Sequence, residues 1–132
     1  MVARIHVGLS GFLDRRGLTE TSERLDGAIV INGDRTHRIY CRPAPHGALV
    51  FESRLIQLPE TPADAEDVIQ RCLLASWLRI GTHADVPVIS EDGVHVLLQQ
   101  CLPSDATVDE VEQSLERFVN SVADWRRVLR IL

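Results

Sequence analysis

The chain has 132 residues, 45% hydrophobic and 25% charged, with a formal net charge of −5. Those proportions belong to one globular domain and exclude wholesale disorder. The acidic balance disfavours phosphate-backbone and anionic-membrane partners, and 5% aromatics is few for a base-stacking surface.

Residues 1–17 place Val2, Ile5, Leu9, Phe12 and Leu13 at helical spacing and predict a first helix. Gly8 and Gly11 each cost a helix about 1 kcal/mol against alanine, so this one needs a surface to pack on. Gly17 is its stop, and residues 18–24 are a polar linker. Ala28–Ile31 predicts a short strand, Asn32-Gly33-Asp34 a tight turn, and Thr36–Arg42 the returning strand, ended by Pro43 and Pro45. A third strand is predicted over 48–58. Its apolar phase flips between Leu49/Phe51 and Ile56/Leu58, which predicts a bulge near Ser53–Leu55.

Thr61, Pro62 and Asp64 signal the start of a second helix, as cap, first-turn residue and dipole partner; Gly81 ends it. Ala65, Val68, Ile69, Cys72, Leu73, Ser76 and Ile80 make one stripe, and Leu74, Trp77 and Leu78 a second apolar flank. A helix apolar on most sides is either centrally buried or shared with another chain. Val86–Ser90 and Val94–Gln100 predict a second hairpin across Glu91-Asp92-Gly93. Thr107 and Glu110 form a capping box for a third helix over 108–129. Its stripe, Val108, Val111, Leu115, Phe118, Val122, Trp125 and Leu129, suits a coiled coil or, more commonly for one helix in a mixed domain, a sheet beneath it. The order α-β-β-β-α-β-β-α, with strands in hairpins, predicts an α+β domain: a twisted, largely antiparallel five-stranded sheet with three helices.

No catalytic constellation emerges. Gly8-Leu9-Ser10-Gly11 lacks the last glycine of a nucleophile elbow, where Phe12 stands. His6, His37, His46, His83 and His95 lack metal-ligand spacing. Cys41, Cys72 and Cys101 are odd in number, unpaired in motif and apolar in setting, which suits buried thiols in a reducing compartment. There is no phosphate-cradling glycine loop. Arg126, Arg127 and Arg130 suit the negative end of a helix dipole. The chain is therefore expected to be no enzyme and to use no cofactor or metal, no nucleic acid and no membrane. No run approaches the ~20 apolar residues of a membrane span, and no signal peptide is evident at the N-terminus. Residues 1–58 carry a net +2 and residues 59–132 a net −7, so the second half presents a solvating acidic surface. Surplus apolar surface without a catalytic site argues for a binder of other chains.

Several residues in this order carry a resemblance. Phe12-Leu13 and Gly17-Leu18 end the first helix. Leu58-Pro59 leads into a helix bearing Leu73-Leu74. Asp92-Gly93 turns into an apolar strand. Leu102-Pro103 precedes a final helix that carries Phe118-Val119 and ends Ala123-Asp124-Trp125-Arg126-Arg127-Val128-Leu129. With these, the whole chain, 1–132, resembles the class I type III secretion chaperones, the small acidic dimeric chaperones of bacterial effectors. It departs from their pattern at Ser76-Trp77, where family members often carry a polar residue, and in its short first strand.

The resemblance implies a cytoplasmic bacterial chaperone. Its partner would be the N-terminal segment of a secreted effector, held extended, soluble and secretion-competent. It would pair with itself or with a related chaperone. The alternatives are a regulatory or adaptor protein of the same fold, or a small ligand-binding or enzymatic α+β domain. Leu74, Trp77 and Leu78 are the expected dimer interface. Ile5, Leu9, Phe12, Leu13, Leu49 and Phe51 are the candidate apolar track for the effector, which would lay alternate side chains into shallow pockets.

Overall fold

The computed structural model describes residues 6–17, 29–32 and 38–130. Ile5, the linker at 18–24 and the turn at Gly33-Asp34 lie outside the described residues. Helix α1 spans Val7–Arg15, strand β1 Ile29–Asn32, β2 Arg38–Pro43 and β3 Leu49–Gln57. Helix α2 spans Pro62–Arg79, β4 Val86–Ile89, β5 His95–Leu102 and α3 Val108–Arg130. The class is α+β, with three helices and an antiparallel sheet in the strand order β1-β2-β3-β5-β4.

Alternation along the strands selects one covered face. Ile39, Cys41, Leu49, Phe51, Ser53, Leu98 and Leu102 are buried on it. The register of β3 against β5 shifts between Arg54 and Ile56, so the bulge falls where the phase flip predicts it. The extra residue returns Leu55 to the buried set.

Helix α3 lies across β3, with Phe118 against Phe51 at a centroid separation of 5.8 Å. Val111, Leu115, Phe118, Val122, Trp125 and Leu129 are all buried, so the stripe meets the sheet and not a coiled-coil partner. The Glu110 backbone N–H donates to Thr107 Oγ1 at 3.2 Å, the cap the sequence predicts.

Helix α1 packs on α3, and its two glycines are the reason it fits. A Cβ on Gly8 would stand 2.3 Å from the Ala106 carbonyl oxygen, and one on Gly11 would stand 2.4 Å from Val108 Cγ2. Their weak propensity is thus exchanged for close helix approach. His6 completes the join. Its Nε2–H donates to the Pro103 carbonyl at 2.8 Å, and its Nδ1 accepts the Leu9 N–H at 3.2 Å, capping α1. A carbonyl can only accept, so the tautomer follows from the partners. Arg15 pairs with Asp109 and Glu112, and Arg16 with Glu112, at the rim.

Helix α2 departs from expectation. Only Val68 and Cys72 are buried, with Ala75 packed at their side, whereas Leu73 and Ile80 of the predicted stripe stand exposed. Nor does the Thr61 side chain cap the helix backbone; its hydroxyl donates to Asp64 Oδ2 at 2.6 Å. The helix touches α3 and β4 along a narrow seam and leaves most of its circumference to solvent.

Candidate interaction surfaces

Positions 68, 72, 75 and 79 lie at spacings of 4, 3 and 4 and form the seam of α2 against the body. At 100° per residue, Trp77 falls on the far side, with Leu74 and Leu78 along one flank. Leu74, Trp77 and Leu78 are 64%, 73% and 74% exposed. Leu73, Ile80 and, on the neighbouring edge strand, Ile89 extend the patch. Isolated apolar residues on a surface are ordinary, but a contiguous group of this size marks an interaction site.

The C-terminal end of α2 is fixed by a buried polar cluster. Arg79 Nη2 donates to Asp85 Oδ1 and Oδ2 at 3.3 and 3.4 Å and to Ser121 Oγ at 2.9 Å. Trp125 Nε1 donates to the same Asp85 oxygen at 3.1 Å, and the guanidinium carbon lies 5.6 Å from the Trp125 ring centroid. A buried carboxylate is tolerable only when its lone pairs are taken up, and here two donors, Arg79 Nη2 and Trp125 Nε1, converge on it. The cluster joins α2, the loop before β4 and α3, so it holds the exposed face of α2 at a set angle to the domain.

Two concavities flank this helix. One, of about 160 Å³, lies between α2 and β4 and is lined by Ile69, Cys72, Leu73, Ser76, Pro87 and Ile89, among others. The other, of about 740 Å³, is a polar cleft walled by residues 81–85, Gln100 and the α3 side chains Arg117, Asn120 and Asp124. Among the described residues no three His, Cys, Asp or Glu side chains converge to hold a metal ion. Burial pushes the Cys41 thiol up to about 12 and raises that of Cys72, which makes both poor nucleophiles.

The expected effector track is not an open surface. Leu9, Phe12, Leu13, Leu49 and Phe51 are each at most 5% exposed and belong to one continuous core; Ile5 lies outside the described residues. The cause is the close seating of α1 through Gly8 and Gly11, which drives Leu9, Phe12 and Leu13 beneath the surface. Small residues three apart beside Leu9 and Phe12 are the signal that could have shown this. Among the described residues no helix covers the opposite sheet face, although Tyr40 on it is buried. In register across it stand Tyr40, Glu52, Gln99 and Val86. Arg42 Nε donates to Glu52 Oε2 at 3.0 Å, Gln99 Nε2 donates to Glu52 Oε1 at 2.8 Å, and the Arg42 guanidinium lies over the Tyr40 ring. Val50 and Leu97 flank this polar row, half-buried. The strand order leaves β1 and β4 as the sheet edges.

Among the described residues no helix is long and apolar enough to cross a membrane. No protein-family model and no curated relative matches the chain. Solved structures do. A chain of the Yersinia pestis type III secretion chaperone SycH in complex with a stable fragment of YscM2 is 18% identical, with a TM-score of 0.62 over 91% of this chain and 98% of that one. A chain of the heterodimeric ExoU–SpcU complex from the type III secretion system of Pseudomonas aeruginosa is 14% identical, with a TM-score of 0.68 over 92% and 98%. YbjN from E. coli, a candidate transcription regulator, is 13% identical, with a TM-score of 0.56 over 92% and 85%. The chain has the fold of the type III secretion chaperones, which is the resemblance its sequence carries.

Proposed function

We propose that this protein is a non-enzymatic chaperone of the bacterial cytoplasm that binds the N-terminal segment of a secreted effector and keeps it extended and secretion-competent. The observation that carries the reading is the whole-chain match to chaperone–effector complexes. The exposed apolar face of α2 adds to it: the protein works as a pair, with itself or with a related chaperone, through Leu74, Trp77 and Leu78. The effector segment runs over the helix-free sheet face and the sheet edges. Many modest contacts along a rigid track add up while the client bears the ordering cost.

Co-expression with the N-terminal segment of a candidate secreted effector from the same genome tests the reading. The expected result is a soluble complex in which the client segment is protease-resistant yet lacks cooperative unfolding of its own. A client that stays insoluble, or that binds only as a folded domain, contradicts it. The shared fold of YbjN favours a second reading, a regulator that binds a folded partner and no secreted segment. Binding that survives deletion of the client's N-terminal segment would support that one.

A further inference from the structure

The groove between α2 and β4 is apolar except for Ser76. The Ser76 hydroxyl is buried and has no hydrogen-bond partner. A buried hydroxyl left unpaired is a standing penalty that a matching donor relieves. The next residue, Trp77, holds its indole in water, 73% exposed. Indole combines the largest apolar surface of any side chain with a single N–H donor and no acceptor. An apolar cavity of about 150 Å³ is large enough for an aromatic ring, and this groove measures about 160 Å³. Neighbouring helix residues point about 100° apart, so Trp77 is directed away from the groove that Ser76 walls and suits the groove of another molecule.

We infer that Trp77 of one copy seats in the α2–β4 groove of a second copy, its indole N–H donating to Ser76 Oγ there. A two-fold axis makes the contact reciprocal, so each dimer holds two such anchors. The inference rests on the proposed self-pairing and specifies its chemistry. Leu73, Leu74, Trp77, Leu78 and Ile80 stand in water around the exposed part of α2, and Ile89 stands beside them on β4. At roughly 100 Å² or more apiece they supply most of the roughly 800 Å² per partner of a standard specific interface.

Complementation between two variants tests it. Trp77→Ala removes the anchor and keeps the groove; Ser76→Leu fills the groove and keeps the anchor. Each alone should weaken self-association at least about 30-fold, as loss of an interface hot spot does. Mixed in equal amounts they should pair at least ~10-fold more tightly than either alone, because one Trp77 then meets one open groove. Sedimentation velocity with one variant fluorescently labelled reads this directly. A mixture no tighter than its parts overturns the seating while a wild-type mass of twice the chain preserves the pairing. A wild-type mass of one chain at micromolar concentration overturns the pairing, and the seating with it. Ile69→Phe is the second groove-filling variant if Ser76→Leu lowers the melting temperature. Trp77→Phe and Ser76→Ala should be no worse together than the more harmful of them alone; additive losses overturn the hydrogen bond.

Discussion

Helices α2 and α3 are both long and both rich in apolar residues, yet they meet opposite fates. α3 carries its core side chains in one stripe, and the sheet and α1 cover that stripe from Val111 to Leu129. α2 spreads them around its axis, and the domain covers only the narrow seam of Val68, Cys72 and Ala75. The contrast teaches how to read apolar content on a helix. A single stripe states that one neighbour is enough. Apolar residues on several sides of a helix at the rim of a small domain state that a neighbour is missing, because a domain of this size has no second layer to supply it.

The largest effects should come from breaking the α3 side of the contrast. Phe118→Ala and Trp125→Ala should each cost about 3–5 kcal/mol in urea unfolding, as large core deletions do. Asp85→Ala should follow at about 3 kcal/mol, since it strands the Arg79 guanidinium and the Trp125 N–H in the interior. It should also speed amide exchange in the last turns of α2 more than anywhere in α3. Gly8→Ala should cost about 1–3 kcal/mol by forcing α1 off the Ala106 carbonyl, an overpacking penalty. On the α2 side, Leu78→Ser should change the unfolding free energy of the dilute, unpaired chain by less than about 0.5 kcal/mol while reducing its self-association. A loss of several kcal/mol there would mean that α2 is core, and the contrast would fail.

The last effect is confined to alkaline pH. The fold holds the Cys41 thiol protonated up to about 12, while an unfolded chain ionises it near 9. Stability should therefore be unaffected below pH 9 and fall as the pH climbs from 9 towards 12, because only the unfolded state gains by losing the proton. Cys41→Val should flatten that part of the melting-temperature profile. In the folded protein, exposed Cys101 should be alkylated well before Cys41 at pH 8.5.

Most of the fold is legible in the sequence because its signals are local. The period of α3, the capping role of Thr107, the turn at Asp92-Gly93 and the phase flip before Ile56 each act over a few residues and survive in the structure. What is not legible depends on distance. The burial of Leu9, Phe12 and Leu13 turns on how near α1 comes to α3, which Gly8 and Gly11 decide through atoms of Ala106 and Val108 almost a hundred residues away. A polar pattern is equally mute about Asp85, whose partners Arg79 and Trp125 come together only when α2, a loop and α3 are already in place. The predicted stripe of α2 fails for the same reason. Its periodicity allows several faces, and only the position of β4 selects Val68 and Cys72 over Leu73 and Ile80.

The strand order has a consequence for how the chain is made. β5 pairs with β3 although α2 and β4 come between them in the chain. The central ladder of the sheet, from Gln57 opposite His95 onward, therefore closes a loop of roughly 40 residues. A ribosome adding about 5–20 residues per second takes seconds to span that interval. During it α2 has left the exit tunnel with no finished sheet to rest on, and its leucines and Trp77 are open to any sticky surface nearby. The acidic residues crowded into its first two turns, Asp64, Glu66 and Asp67, lie beside that apolar stretch and act as electrostatic gatekeepers against premature association.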